Sequence, residues 1–254
     1  MLLALDVGNT NITIGIFKKK KIISYWRVFT ERGKTSDEYG IQLINFLENS
    51  GYSEKNISGI VICSVVPPLT PIMVNMAEKF FKKKPMVVSR ALNTGIKILY
   101  KNPDEVGEDR IVNAVAAFNK YGGPAIIVDF GTAITFDIIL EKGEYLGGVI
   151  APGVEISSEA LAHRTAKLPK VEIKKPEKVV GKTTIESIQS GLYFGYESLV
   201  EGIIKKIKKE LGIKANVILT GGYGEEIFGK LKIFNIVDPF LTLEGLRIIY
   251  ERNS

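Results

Sequence analysis

LLALDVGNTNITIGIF, residues Leu2 to Phe17, is the stretch from which the fold is read. An apolar strand stops at Asp6, turns at Gly8 and resumes as a second apolar strand. A hairpin needs only one Asn-Gly or Asp-Gly pair to turn. Here Asp6, Gly8, Asn9, Thr10, Asn11 and Thr13 crowd the turn, so it holds something besides its own backbone. Residues 124–140, PAIIVDFGTAITFDIIL, repeat the pattern of strand, Asp-x-Gly turn and strand. Placing Asp6 on Asp129 puts Gly8 on Gly131, Asn9 on Thr132 and Thr10 on Ala133. A charged tip follows each copy, KKKK (Lys18–Lys21) in one and EKGEY (Glu141–Tyr145) in the other. The copies stand almost half the chain apart, which is the mark of a duplicated domain.

Each half continues with strands and helices in alternation. ISGIVICSVV is a predicted strand, LTPIMVNMAEKFFKKK a helix and PMVVS a short strand. GEDRIVNAVAAFNKY (Gly107–Tyr121) is a helix stopped by Gly122-Gly123. In the second half, YLGGVIAPG ends a strand in a glycine loop, and EISSEALAHR forms the helix after it. A longer helix spans roughly Ile185 to Leu211, and ANVILTGGYGEEI predicts strand, glycine turn and helix. Such alternation indicates α/β sheets covered by helices, here in two halves packed around a cleft.

Bulk composition narrows the function. The 254 residues are 45% hydrophobic and 24% charged, an ordinary globular balance. The apolar start is broken by Asp6 and preceded by no basic residue, unlike a signal peptide. No apolar run spans a bilayer, so the expected location is the cytoplasm, with no membrane partner. The single cysteine, Cys63, excludes an internal disulfide and lies in an apolar run as a core thiol. The net charge of +6 collects at Lys18–Lys21, Lys82–Lys84 and Lys205–Lys209 without interleaved aromatics, which argues against nucleic acid.

Convergent amides at glycine turns make a cradle for phosphate. The carboxylates of Asp6 and Asp129 need a cation or its waters between themselves and a phosphate. Thr220-Gly221-Gly222 is a third turn, suited to a nucleoside or its α-phosphate. Each alone is better read as a tight hairpin; three in a duplicated α/β chain reverse that and favour a nucleotide. VVGKTT (Val179–Thr184) imitates a Walker A ending, but Pro176 stands where that motif needs glycine. His163 is the only histidine, so a general base is sought among carboxylates. In GEDR, Arg110 can fork onto a carboxylate and Asp109 can accept a proton from a hydroxyl. The alternative is that Glu108 and Asp109 only cap the helix and complement its dipole.

With these residues assembled, the sequence resembles the type III pantothenate kinases of the sugar kinase, heat-shock 70 and actin superfamily. The resemblance rests on DVGNT, SVVP (Ser64–Pro67), Tyr100-x-x-Pro103 with GEDR and Asn113-Ala114, DFGTAIT, GGVIAPG, HRTAKLP, Gly181-x-x-Thr184 and TGG. It implies transfer of the γ-phosphate of ATP to the primary hydroxyl of pantothenate, the first step toward coenzyme A. It implies two ribonuclease H-like (actin-like ATPase) domains, residues 1–115 and 116–254, around a nucleotide cleft. It implies a homodimer with a shared acceptor pocket. Carried over by residue, Asp6, Val7, Gly8, Asn9, Thr10, Asn11, Ile12 and Thr13 hold ATP, with Thr132, Gly221 and Gly222, and Asp109 accepts the proton. Tyr100, Gly107, Glu108, Asp109, Arg110 and Thr184 bind pantothenate, Thr184 from the neighbouring subunit. Asp129 binds a monovalent cation, potassium or ammonium. Magnesium accompanies ATP, with Asp6 as its ligand directly or through water. The rival readings are a kinase of another small hydroxy acid or sugar, and an ATP-binding regulator of the same fold. Asp109 argues against the regulator, which needs no base.

Overall fold

The computed structural model describes residues 1–222 and 224–254. In chain order, β1 (Leu2–Val7), β2 (Asn11–Lys18) and β3 (Lys21–Phe29) lead to α1 (Ser36–Asn49) and β4 (Gly59–Ser64). Next come α2 (Thr70–Phe81), β5 (Met86–Val87), β6 (Lys97–Ile98) and α3 (Glu108–Tyr121). The remainder is β7 (Ala125–Phe130), β8 (Ala133–Ile139), β9 (Glu144–Pro152), α4 (Val154–Arg164), α5 (Thr184–Leu211), β10 (Asn216–Thr220), β11 (Ile236–Val237) and α6 (Leu241–Asn253).

Two compact units result. One comprises Met1–Ile96, Lys101–Ala116 and Phe240–Ser254; the other comprises Lys97–Tyr100 and Ala117–Pro239. The chain thus crosses between units inside α3, and its last helix folds with the first unit. A single division at residue 115 does not describe this course, because α6 covers a sheet face of the first unit.

In the first unit the sheet runs β3-β2-β1-β4-β5, with β1–β2–β3 antiparallel and β1–β4–β5 parallel. Side chains alternate along a strand, so one face of β1 carries Leu3, Leu5 and Val7. These pack with Tyr39, Leu43 and Leu47 of α1 and Met73, Met76 and Phe81 of α2. Leu2, Ala4 and Asp6 point to the other face, where α6 lies on β1, β2 and β4. Its approach is close: a methyl on Gly15 would come within 2.7 Å of Leu243 Cδ1. Tyr25 of β3 meets Phe240 edge-on at 4.7 Å where α6 begins.

The second unit repeats this order as β11-β10-β7-β8-β9, extended by β6 beside β9. Ile126, Val128, Phe130, Ile134, Phe136 and Ile138 form its core with α5. On α5, Ile188, Leu192, Tyr193, Tyr196, Val200 and Ile207 are buried in that core. The apolar stripe of α5 is therefore consumed within one unit, and Gly191 and Gly195 remain on an open face with nothing near their Cα positions. After β10 the predicted helix is a five-residue π-helical turn, Gly224–Phe228. Among the described residues no helix is long and apolar enough to cross a membrane.

The placement of α6 gives the first expectation. A methyl on Gly245 would run into the Val112 carbonyl of α3. Gly245→Ala should therefore destabilise the protein by about 1–3 kcal/mol, the usual scale of overpacking. Thermal melting checks this; an unchanged midpoint would mean that α6 does not rest on α3.

Candidate active site

The first unit collects one set of candidate side chains at the C-terminal ends of β1 and β4. Asp6 pairs with Cys63 across the parallel ladder and with Thr13 across the hairpin. The Gly8 amide donates to the Asn11 carbonyl at 3.0 Å, closing the turn. From the β3–α1 connection, the Thr30 hydroxyl donates to the Gly8 carbonyl at 2.6 Å and its amide to the Thr10 carbonyl at 2.9 Å. Arg32 donates to Asn9 Oδ1 at 3.2 Å. Beside this turn, Ser64 of SVVP accepts from the Val66 amide at 3.3 Å and from the Thr70 hydroxyl at 3.0 Å. Ser64 thus shapes the entry into α2.

GEDR opens α3 in the same unit. The Gly107 carbonyl accepts from the Arg110 and Ile111 amides at 3.2 and 3.3 Å, and Asp109 Oδ1 accepts from the Arg110 amide at 2.8 Å. Gly107 leaves room for that carboxylate, since a methyl there would stand 2.6 Å from Asp109 Oδ1. Arg110 and Asn113 are buried, and Thr242 of α6 donates to Asn113 Oδ1 at 2.7 Å. Arg90 steadies the loop ahead of α3 through Asp104 at 2.5 Å and the Val106 carbonyl at 3.4 Å.

Electrostatics join the two segments. Burial drives the Cys63 thiol well above its ordinary pKa, and the charges of Asp6, Asp109 and Glu108 push it further. Three carboxylates from both segments therefore bear on one thiol. Asp109 itself is raised, chiefly by burial; the amide and charge of Arg110 oppose the shift and Glu108 adds to it. A carboxylate so raised is a better proton acceptor than an exposed one.

The second unit gathers the other glycine turns. Asp129 pairs with Thr220 and Thr135 as Asp6 pairs with Cys63 and Thr13. Its turn is one residue shorter: Phe130 pairs with Ile134, and the Gly131 amide donates to the Ala133 carbonyl at 3.0 Å. Gly221 has φ +93°, and a methyl on it would come within 2.5 Å of both Asp129 Oδ1 and the Phe130 amide nitrogen. Gly153, which caps α4, donates its amide to the Thr132 carbonyl at 3.1 Å. A methyl there would meet the Gly131 carbonyl at 2.6 Å. The Tyr196 hydroxyl fixes this corner, 3.1 and 3.2 Å from the Pro152 and Gly153 carbonyls and 2.5 Å from Ser157 Oγ. Three glycine-bearing segments thus meet around the Asp129–Thr132 turn.

The remaining expected residues lie elsewhere in the second unit. The Tyr100 ring lies against β9, 3.3 Å from where a methyl on Gly147 would stand, at a φ of +140° that favours glycine. Thr184 is exposed in the first turn of α5, and the cap is Thr183, paired with Glu186 in a capping box. Gly181 passes 2.5 Å (as a methyl) from the Ser187 amide nitrogen, so the Walker-like GKTT is a helix start. His163 is exposed at the end of α4.

Sequence reasoning left Thr30, Arg90 and Gly153 without a role. Pro-Gly ahead of a helix was a usable signal for Gly153. Thr30 and Arg90 had none, because each acts through chain far from it in sequence.

A sequence model of the type III pantothenate kinase family matches residues 2–206. A type III pantothenate kinase of Bacillus cytotoxicus is 51% identical over 254 residues, covering 100% of this chain and 97% of that protein. Among solved structures, a conserved Campylobacter jejuni protein provisionally described as a Baf family transcriptional activator superposes with a TM-score of 0.62 at 20% identity, covering 99% of this chain and 98% of that one. An inorganic polyphosphate/ATP-glucomannokinase of Arthrobacter superposes with a TM-score of 0.50 at 16% identity, covering 98% of each chain. At such identities these structures speak for the fold alone, that of actin-like sugar kinases and ATPases.

Asp109 generates an expectation about stability. Its folded pKa lies above the unfolded value, so it favours the fold below the unfolded pKa and loses that contribution as pH rises through the folded pKa. At neutral pH the ionised group carries its desolvation cost. Asp109→Asn should leave the melting temperature unchanged or raised at neutral pH, with the difference from wild type shrinking through the acid carboxylate range. A lowered midpoint at neutral pH would mean that the carboxylate's bonds outweigh its burial.

Proposed function

The chain belongs to the type III pantothenate kinase family and phosphorylates pantothenate on the way to coenzyme A, and we propose that Asp109 is the proton acceptor of that reaction. The observation that carries this assignment is the setting of Asp109. It is a carboxyl raised by burial, next to the buried Arg110, in the same electrostatic neighbourhood as Asp6. In this reading Arg110 forks onto the pantothenate carboxylate. Asp109 takes the proton of the primary hydroxyl, and Tyr100, Gly107 and Glu108 line the acceptor pocket.

The chemistry of both Asp-x-Gly turns suits a magnesium-bound triphosphate. Their donors are hard oxygens and amides, and a carboxylate beside phosphate calls for an intervening cation. Asp6 fits magnesium, directly or through water, and Asp129 fits a monovalent cation, potassium or ammonium. Among the described residues no group of three His, Cys, Asp or Glu is placed to hold a metal, so phosphate and water would complete either shell. Residues Asp6 to Thr13 orient the phosphates, and Thr132, Gly221 and Gly222 contact the nucleotide. When bound, ATP supplies the phosphoryl group and its cation spreads the charge. The protein's share is then positioning and charge complementarity, which is most of what phosphoryl transfer needs. A cytoplasmic location accords with this substrate.

ADP release measured across a panel of hydroxyl acceptors tests the reading. Turnover should require pantothenate, run faster in potassium or ammonium than in sodium, and lose that preference in Asp129→Ala. Asp109→Asn should cost about 10²–10⁴-fold in rate, the usual worth of a general base. Near-normal turnover in that folded variant would remove the role. ATP binding without turnover on any acceptor would point to the regulator.

A homodimer with a shared pocket completes the proposal. The open face of α5 at Gly191 and Gly195, and the exposed Val179, Val180 and Ile185 beside Thr184, support it. Mixed with Asp109→Asn, an inactive Thr184→Arg variant should recover part of the activity, since one pocket of a heterodimer is intact. Mass-tagged subunits verify exchange; a verified heterodimer without activity, or a fully active monomer in sedimentation, would defeat the shared pocket.

A further inference from the structure

Thr30 is tied to the Asp6–Thr13 turn by two bonds of different kinds. Its amide bond to the Thr10 carbonyl extends the β2–β3 ladder by one step, and any residue except proline would make it. Its hydroxyl bond to the Gly8 carbonyl, at 2.6 Å, is not a ladder bond and needs this side chain. The connection carrying Thr30 is itself held by the buried Tyr39 of α1. The Tyr39 hydroxyl accepts from the Glu31 amide at 3.2 Å and donates to the Glu31 carbonyl at 2.9 Å. A rigid helix thereby sets the position of a hydroxyl that grips the turn.

The consequence follows from peptide geometry. The C=O and N–H of a trans peptide lie in one plane and point in opposite directions. Fastening the Gly8 and Thr10 carbonyls to Thr30 turns the Asn9 and Asn11 amides toward the opposite side of the turn. Glycine turns bind phosphate through such co-directed amides. We infer that Thr30 is a positioning residue for ATP, touching no substrate but fixing the direction of the Asn9 amide through its hydroxyl bond to Gly8, beside the Asn11 amide that its backbone bond to Thr10 already orients. This rests on the reading of the Asp6–Thr13 turn as a phosphate site.

The experiment compares Thr30→Val, which keeps shape and amide but loses the hydroxyl, with Thr30→Ser, which keeps the hydroxyl. Affinity for a non-hydrolysable ATP analogue is measured by calorimetry, and KM for ATP and pantothenate by steady-state kinetics. Thr30→Val should weaken the analogue and raise KM for ATP by about fivefold, the scale of one hydrogen bond. KM for pantothenate should stay at the wild-type value, and Thr30→Ser should restore ATP binding. Wild-type affinity in Thr30→Val, or an equal loss for both substrates that serine does not rescue, overturns the inference. Gly8→Ala separates the two levels of argument. If it weakens the analogue while Thr30→Val does not, the role of Thr30 alone is wrong. If it too leaves affinity intact, the phosphate reading falls and takes the inference with it. Should Thr30→Val not fold, Thr30→Ala takes its place with the same readouts: a weakened analogue and a raised KM for ATP alone support the inference, and wild-type affinity overturns it.

Discussion

In β1 and β7, strands buried on both faces, the carboxylate sits where the sheet gives way to a turn, and the candidate ligand edge of each sheet is organised by that placement. Leu2 to Leu5 of β1 and Ala125 to Val128 of β7 are fully enclosed. Each run ends in an aspartate one residue before its strand does. One turn of the pleat earlier the carboxylate would need buried partners, as Asp137 of β8 finds in the Thr135 and Tyr145 hydroxyls. At the strand end it meets glycine, amides and the next parallel strand. Cys63 and Ser64 in one unit and Thr220 in the other are placed by pairing against these strands. Their position at the C-terminal ends of parallel strands is the usual ligand edge of open α/β sheets.

The two units share a strand order but have diverged at that edge. The first has a longer turn, braced by Thr30, and an α3 start that brings Asp109 and Arg110 beside it. The second has a shorter turn wedged between Gly153 and Gly221, where there is space for no side chain. The first unit therefore concentrates carboxylates at that edge and the second concentrates backbone. At Asp109 the burial that raises the pKa is a cost to the folded protein at neutral pH.

Much of this was legible in the sequence, because strand-turn-strand repeats and amphipathic helices are local patterns. β1, β2, β4, β7, β8 and α3 fall close to where their apolar periods end. The candidate residues of GEDR were legible as chemistry only beside the alternative that the acids complement the dipole of α3. What escaped were facts set by distant chain. Thr30 gains meaning only from Gly8, and Gly153 only from the Gly131 and Thr132 carbonyls. The one-residue shortening of the second turn is hidden in an ungapped overlay, because β7 and β8 keep their apolar alternation on either side of it. Thr183 rather than Thr184 as the cap of α5 is likewise a choice between two identical residues, decided by the reach of Glu186.

The return of α6 to the first unit sets an order of assembly during synthesis. Ribosomes deliver the N-terminus first, and N-terminal domains ordinarily fold first. Here the face of the first sheet that carries Leu2, Ala4 and Asp6 awaits a helix made of the last residues of the chain. The second unit, complete at Pro239, has all its strands before the first unit has its cover. The unit made earlier is thus the one that remains unfinished longer, and its apolar face is the surface that a nascent-chain chaperone would meet.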